Sequence, residues 1–354
     1  VETPNQFGRF HRQIILPGFS IEAQKRLGNS HALVVGCGAL GCASVDLLVR
    51  AGVGRLTIID RDVVEPTNLQ RQSLFTDDDA KRGVPKAEAA AKRVRAIDPS
   101  ISVRGWVDDF RAENALQYAE GADIIIDGLD NFETRYLLND LALRRAIPYM
   151  YCGAVGYEGM TFPILPSVGP CLRCLFPEPP NPGVAPTCDR AGVFGPAVAV
   201  AAGFAVGSAL RYLAGIFEDH DSDLVSFDLA TGRLRRTKLG SSARANDCVA
   251  CVQGRLEFLD GARSSQATIL CGRNAVQILP AGSTSIDLDG LALRLMAHGE
   301  FTVESGRMRG TLRSERTSTG DLYELTVFAD GRAIVRGSPE PSDARRIYTQ
   351  YIGL

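Results

Sequence analysis

Two pairs of cysteines, Cys171 with Cys174 and Cys248 with Cys251, each enclose two residues, and 73 residues separate the pairs. Thiolates at that spacing fit adjacent corners of a tetrahedron, so the two pairs together predict a closed four-sulfur zinc site. Closed coordination leaves no open position for a substrate, which makes the expected metal structural. A thioredoxin-like redox motif needs one pair at a helix start, not two.

A second group of residues has the chemistry of a nucleotide site. Gly36-Cys37-Gly38-Ala39-Leu40-Gly41 lies between a strand-like run and a helical one. Glycines there allow a tight turn and bring backbone N–H groups and a helix N-terminus close to phosphate. Asp60 ends the next strand-like run, nineteen residues beyond Gly41, where a carboxylate can bind a ribose hydroxyl. Alone, this fingerprint fits a nicotinamide-dependent oxidoreductase. Arg71, in Asn68-Leu69-Gln70-Arg71-Gln72, and Lys86, in Pro85-Lys86, alter that reading. A dehydrogenase has no need of both cations, whereas the triphosphate of ATP needs its charge neutralised before attack at phosphorus. Asp130, in Asp127-Gly128-Leu129-Asp130-Asn131, closes another strand and can hold magnesium through oxygen. Taken singly, Arg71 and Lys86 could be a solvated surface pair and Asp130 a helix cap. Their collection at strand ends on one sheet edge favours the ATP site.

The elements that must position these groups alternate. His31–Gly36, Arg55–Asp60, Asp123–Asp127 and Pro148–Cys152 read as strands. Between them Leu40–Ala51, Pro85–Ile97 and Phe132–Arg145 carry apolar residues at helical spacing. Strand and helix in strict turn predict a parallel sheet with helices on its faces. The proline-rich run from Pro177 to Pro186 is an extended loop, and a polar linker runs from Gly240 to about Gln266. Beyond it, Leu325–Gly337 reads as a hairpin turning at Asp330-Gly331, with a last helix over Pro341–Tyr351.

The 354 residues suit about two domains, and 45% hydrophobic with 23% charged residues is ordinary globular composition. With 39 basic against 41 acidic residues, no charge excess points to nucleic acid. Nine cysteines are too few for a disulfide scaffold and sit badly with complete pairing. The N-terminal segment has no apolar signal core, and the uncharged run Val193–Leu210 is rich in Ala and Gly, so it reads as a buried helix rather than a membrane span. The expected compartment is cytoplasmic. Cys37, Cys42, Cys152 and Cys271 lie in or beside apolar segments and read as buried.

The run RFHRQIILPG followed by GCGALG, IIDRD, NLQRQ, PK and DGLDN resembles the MoeB/ThiF/HesA adenylyltransferases, over about Arg9 to Val252. That resemblance implies ubiquitin-activating-like chemistry: ATP-dependent adenylation of the C-terminal glycine of a sulfur-carrier protein ending in Gly-Gly. It implies an ATP site at Gly36, Gly38, Ala39, Gly41, Asp60, Asn68, Arg71, Lys86, Asp130 and Asn131. Ala39 stands where the family usually has Gly, with its N–H still available. The resemblance further implies a homodimer in which Arg12 is supplied by the partner subunit. It implies that Cys188 is the crossover-loop cysteine, which either bonds the carrier or is simply packed. Family members with a sulfur-transferring C-terminal domain carry a cysteine loop that this chain lacks, so a separate sulfur donor is expected.

The expected fold is thus α/β, a Rossmann-like, mostly parallel sheet with an antiparallel extension and a zinc site, plus a small α+β C-terminal domain. The expected divisions are an N-terminal helical segment over 1–30, an adenylation domain over 31–252, a linker over 253–266 and the small domain over 267–354. Expected cofactors are ATP, magnesium and zinc. Two alternatives stand beside adenylation. A nicotinamide oxidoreductase leaves Arg71, Lys86 and the cysteines without a purpose, and an inactive activating-enzyme-like scaffold typically lacks the nucleotide-site charges present here.

Overall fold

The computed structural model describes residues 8–180, 191–218, 222–240, 243–263, 265–270, 274–280, 285–304, 306–317 and 320–353. The chain divides into two compact units, the first formed by Val1–Asp130, Thr134–Pro177 and Val193–Leu259, the second by the remaining segments, chiefly Asp260–Leu354.

The first unit is built on an eight-stranded sheet of order β3-β2-β1-β4-β5-β6-β7-β8. Its strands are β1 (His31–Val35), β2 (Arg55–Ile59), β3 (Ser102–Trp106), β4 (Ile124–Asp127), β5 (Tyr149–Val155), β6 (Glu158–Ile164), β7 (Leu224–Asp228) and β8 (Arg233–Thr237). The first five run parallel and β6 to β8 antiparallel. Burial explains why the central strands read so clearly. Every residue of β1 and β4 is buried, as a strand covered on both faces requires, so apart from His31 at the start of β1 and Asp127 at the end of β4 both are apolar runs. Strand β3 was not foreseen, because at the sheet edge its SVRGW sequence is nowhere fully buried and lacks an apolar run.

Helices α1 (His11–Ile14), α2 (Ile21–Asn29), α3 (Ala39–Ala51), α4 (Asp77–Lys81), α5 (Lys86–Ile97), α6 (Ala112–Tyr118), α7 (Phe132–Arg145), α8 (Leu172–Leu175) and α9 (Gly195–Ala214) complete the unit. Ser20 caps α2 by accepting the Ala23 N–H at 3.1 Å. Helix α3 stops at Gly52, whose φ of 85° lets its N–H turn back to Leu48 and Val49. By length and composition α9 could cross a membrane. Half of that stretch is buried, with Ala197, Ala201, Ala205 and Ala209 in the core and α2, α3, β5 and β6 as neighbours. Small side chains at helical spacing are what allow this close approach. The segment expected as a linker from 253 carries buried Leu256, Phe258 and Leu259, so the first unit continues to Leu259. The polar composition of its neighbours hid those three.

The second unit holds a six-stranded antiparallel sheet of order β11-β12-β13-β14-β10-β9. These are β9 (Gln266–Leu270), β10 (Ala275–Leu279), β11 (Gly299–Glu304), β12 (Arg307–Arg316), β13 (Leu322–Phe328) and β14 (Ala333–Arg336), with helices α10 (Leu288–Leu295) and α11 (Pro341–Tyr351). The expected hairpin is β13–β14, paired from Val327 with Ala333 to Glu324 with Arg336. Ile347, Tyr348 and Ile352 of the last helical segment join Leu325 and Val327 in this unit's core.

Candidate functional site

The parallel strands bring their C-terminal ends to one edge, and the turn after β1 meets the turn after β4 there. Contact is made through glycine. A Cβ on Gly41 would lie 2.0 Å from the Gly36 oxygen, and one on Gly128 would lie 2.1 Å from the same oxygen. Gly36 also has φ +85°, a left-handed conformation that other residues rarely adopt. Gly38 is the N-cap of α3 and has no side chain to occupy the first-turn N–H groups; Ala39 is the first helical residue. Those donors are what an anion at a helix start requires.

Asp60 follows β2 and stiffens this turn. Its Oδ2 accepts the Cys37 N–H at 2.6 Å and its Oδ1 accepts the Asp62 N–H at 2.8 Å. Burial, reinforced by Asp62, pushes its carboxyl up to about 6, while Lys86 and the two N–H groups hold it down. Lys86 opens α5 and is buried, with its Nζ 3.0 Å from Asp62 Oδ2. Burial disfavours the ammonium, but Asp62, Asp60 and Asp130 outweigh it and hold Lys86 above the ordinary lysine range. Asn68 is buried and its Oδ1 accepts the Glu65 N–H, which fixes the turn bearing Arg71. Arg71 Nη1 donates to the Thr67 carbonyl at 2.8 Å and the side chain remains partly exposed. Asp130, just past β4, is exposed, and Asn131 directly precedes α7.

The glycine turn, Asp60, Lys86 and Asp130 are therefore one electrostatic neighbourhood. Arg12 is exposed on α1. Cys188 lies outside the described residues, as does Cys271. Sequence reasoning missed the groups that support these residues. Arg61 Nη1 pairs with Asp109 at 2.9 Å, and Asp62 pairs with Lys86. Beneath the Asp130 turn, fully buried Asp127 accepts from Arg135 Nε at 3.1 Å, Tyr149 Oη at 2.8 Å and the Leu129 N–H at 2.9 Å. Arg135 Nη2 adds a bond to the Leu129 carbonyl at 2.8 Å. The alternating carboxylates of Asp60-Arg61-Asp62 were the available signal. Arg135 sat unremarked in an apparently amphipathic helix.

The four paired cysteines converge. Sγ separations are 3.8 Å for Cys171 and Cys174, 3.6 Å for Cys171 and Cys248, and 3.4 Å for Cys174 and Cys251. Sulfurs about 2.3 Å from a tetrahedral zinc would be about 3.8 Å apart, so the set is compatible with zinc. Among the described residues, no other group of three or more potential His, Cys, Asp or Glu ligands gathers this closely. Burial and the surrounding thiols raise Cys171, and the same causes push Cys251 up to about 11. Burial also opposes ionisation of Cys248, but the N–H groups of Cys251 and Ala250 outweigh it and lower that thiol. Helix α7 braces the cluster: Asn139 Oδ1 accepts the Leu172 N–H at 2.8 Å, and Asp140 Oδ2 accepts the Phe258 N–H at 2.9 Å. Buried Arg173 pairs with Glu257 at 2.8 Å.

A family model described as the ThiF family matches residues 10–250. The chain is 40% identical to the sulfur carrier protein ThiS adenylyltransferase of Bacillus subtilis over 346 residues, 98% of this chain and 99% of that one. It is 38% identical to the sulfur carrier protein adenylyltransferase of Thermus thermophilus over 251 residues, 70% of this chain and 92% of that one. Among solved structures, E. coli MccB crystallised with ATP matches with a TM-score of 0.57 at 22% identity, covering 69% of this chain and 74% of that one, a likeness of fold.

Proposed function

From the membership of this chain in the ThiF family, we propose that it adenylates the C-terminal glycine of a ubiquitin-like sulfur-carrier protein ending in Gly-Gly. The observation that carries this reading is the set of charges at the β1–β2–β4 edge, above all Lys86 held ionised beside the glycine turn. The carrier's carboxylate attacks the α-phosphorus of ATP, pyrophosphate leaves, and an acyl-adenylate remains for later sulfur transfer. A carboxylate is already ionised at neutral pH, so no general base is required. The protein's contribution is placement and charge stabilisation. First-turn N–H groups of α3 receive phosphate oxygens, Asp60 orients the ribose, Asn68 and Asn131 line the nucleotide, and Arg71 with Lys86 stabilises charge leaving with pyrophosphate.

Asp130 offers an exposed carboxylate at this edge, a hard oxygen donor that suits magnesium. Bound there, the ion would neutralise phosphate charge. The four-cysteine cluster holds zinc as a structural tie. We further assign a homodimer in which Arg12 completes the partner's site, a separate protein as sulfur donor, and a cytoplasmic location where such thiols stay reduced.

The test is exchange of labelled pyrophosphate into ATP with candidate Gly-Gly carriers. Exchange that depends on an intact carrier C-terminus is expected; its absence with every carrier overturns the reading. For the dimer, Arg12→Ala mixed with Lys86→Ala should recover part of the activity through one intact site. A monomer with full activity would exclude that arrangement.

A further inference from the structure

Lys86 is held twice by one residue. The Asp62 carbonyl accepts the Lys86 N–H at 2.8 Å, and the Asp62 carboxylate meets the Lys86 ammonium at 3.0 Å. Next to them Val63 forms a bridge with Pro85, and the Val64 N–H donates to the Val84 carbonyl at 2.9 Å. The chain leaving β2 is thereby stitched to the start of α5. Of the two side chains Asp62 is the more exposed, at 31% against 9% for Lys86. The Asp62 N–H in turn donates to Asp60, which accepts the Cys37 N–H of the glycine turn. An unbroken chain of polar contacts therefore runs from the phosphate-binding turn to the lysine.

Resting on the nucleotide-site reading above, we propose that Asp62 is a positioning residue for adenylation, fixing where the Lys86 ammonium points when the triphosphate arrives. A lysine is a point charge on a flexible four-carbon stem, so its direction must be set by a partner. An ammonium has three donors; Asp62 engages one and leaves the others for phosphate oxygens. The arrangement has a definite cost. A carboxylate beside the phosphates repels them in the ground state, so Asp62 improves geometry at the expense of affinity. That trade separates it from a residue that merely keeps the fold.

Asp62→Asn should lower kcat for pyrophosphate exchange by about 10- to 100-fold, the range expected for a catalytic group displaced by about an ångström. KM for ATP should stay level or fall, and Asp62→Glu should restore part of kcat. Calorimetric titration with Mg-ATP alone should give Asp62→Asn an affinity no weaker than wild type. A wild-type kcat in Asp62→Asn, a raised KM with kcat kept, or Glu no better than Asn would each overturn the proposal. Should Asp62→Asn fail to fold by circular dichroism, Asp62→Ser serves as the charge-deleting variant. If wild type itself exchanges with no carrier, adenylation is the reading that fails. Calorimetry still judges Asp62, because weaker ATP binding in its charge-deleting variant refutes the positioning role.

Discussion

The charged edge at β1, β2 and β4 and the four-cysteine cluster belong to the same unit and share a brace in α7, yet they solve opposite electrostatic problems. At the edge, cations and carboxylates already satisfy one another: Lys86 sits on Asp62, Arg61 on Asp109, and Asp60 on two backbone N–H groups. A ligand arriving there competes with partners and can leave again. In the cluster, three sulfur pairs lie at 3.4 to 3.8 Å, and apart from the backbone N–H groups at Cys248 the thiols have chiefly one another for company. Such a set is stable as thiolates only around a cation. The lesson is that the edge balances its charges with its own partners, whereas four converging thiols call for a cation as their common partner.

The sharpest break of this contrast is removal of one sulfur. Structural zinc contributes about 10–16 kcal/mol apparent in small modules. Cys174→Ser should therefore lose its metal, by elemental analysis, and melt at a much lower temperature; full stability without metal would erase the distinction. Removing a charge from the edge should instead leave the fold standing. Lys86→Ala is expected to slow pyrophosphate exchange by about 10²–10³-fold with a melting temperature near that of wild type. A collapse of stability with that substitution would show the edge to be structural as well.

A smaller effect probes the backbone of the edge. Gly41→Ala forces a methyl against the Gly36 carbonyl, an overpacking that typically costs about 1–3 kcal/mol in denaturant titration. Gly38→Ala is the control, since a Cβ there would meet nothing closer than 3.8 Å. The mildest test is pH. Asp60, with its carboxyl near 6, binds its proton more tightly folded than unfolded. Its contribution to stability is thus fully present below about pH 4 and lost as pH rises through 6. Ribose recognition has the reverse dependence, because it needs the ionised form. By calorimetry, the advantage of wild type over Asp60→Asn in Mg-ATP affinity should shrink between pH 7 and 5. An advantage constant across that range would remove Asp60 from the ribose role.

How much of this was legible follows from what each residue needs. Strands β1, β2 and β4 are buried on both faces, and their apolar runs leave no other reading. The two cysteine pairs announced themselves because ligand spacing is local even when the pairs are distant. Lys86 was legible as a charge opening a helix, and Asp130 as one just past a strand. Their partners were not, because nothing in the order of residues says that Asp62 will meet a lysine 24 positions on, or that Arg135 will turn back under Asp127. Buried Phe258 and Leu259 were hidden for a similar reason: their anchor is Asp140, far back in the chain. Local chemistry was readable; long-range support was not.

The separation of the two cysteine knuckles also bears on the order in which the chain folds. Each knuckle can form from its own few residues, but Cys171 and Cys248 are 77 positions apart, and α9, β7 and β8 lie between them. Closing so long a loop in a flexible chain costs on the order of 4 kcal/mol in entropy. That cost falls once the intervening helix and strands have docked onto the sheet. Loop entropy thus favours bringing the four sulfurs together after those elements have docked, so that a metal bound there would act as a clasp on a nearly finished unit and not as the seed around which it forms.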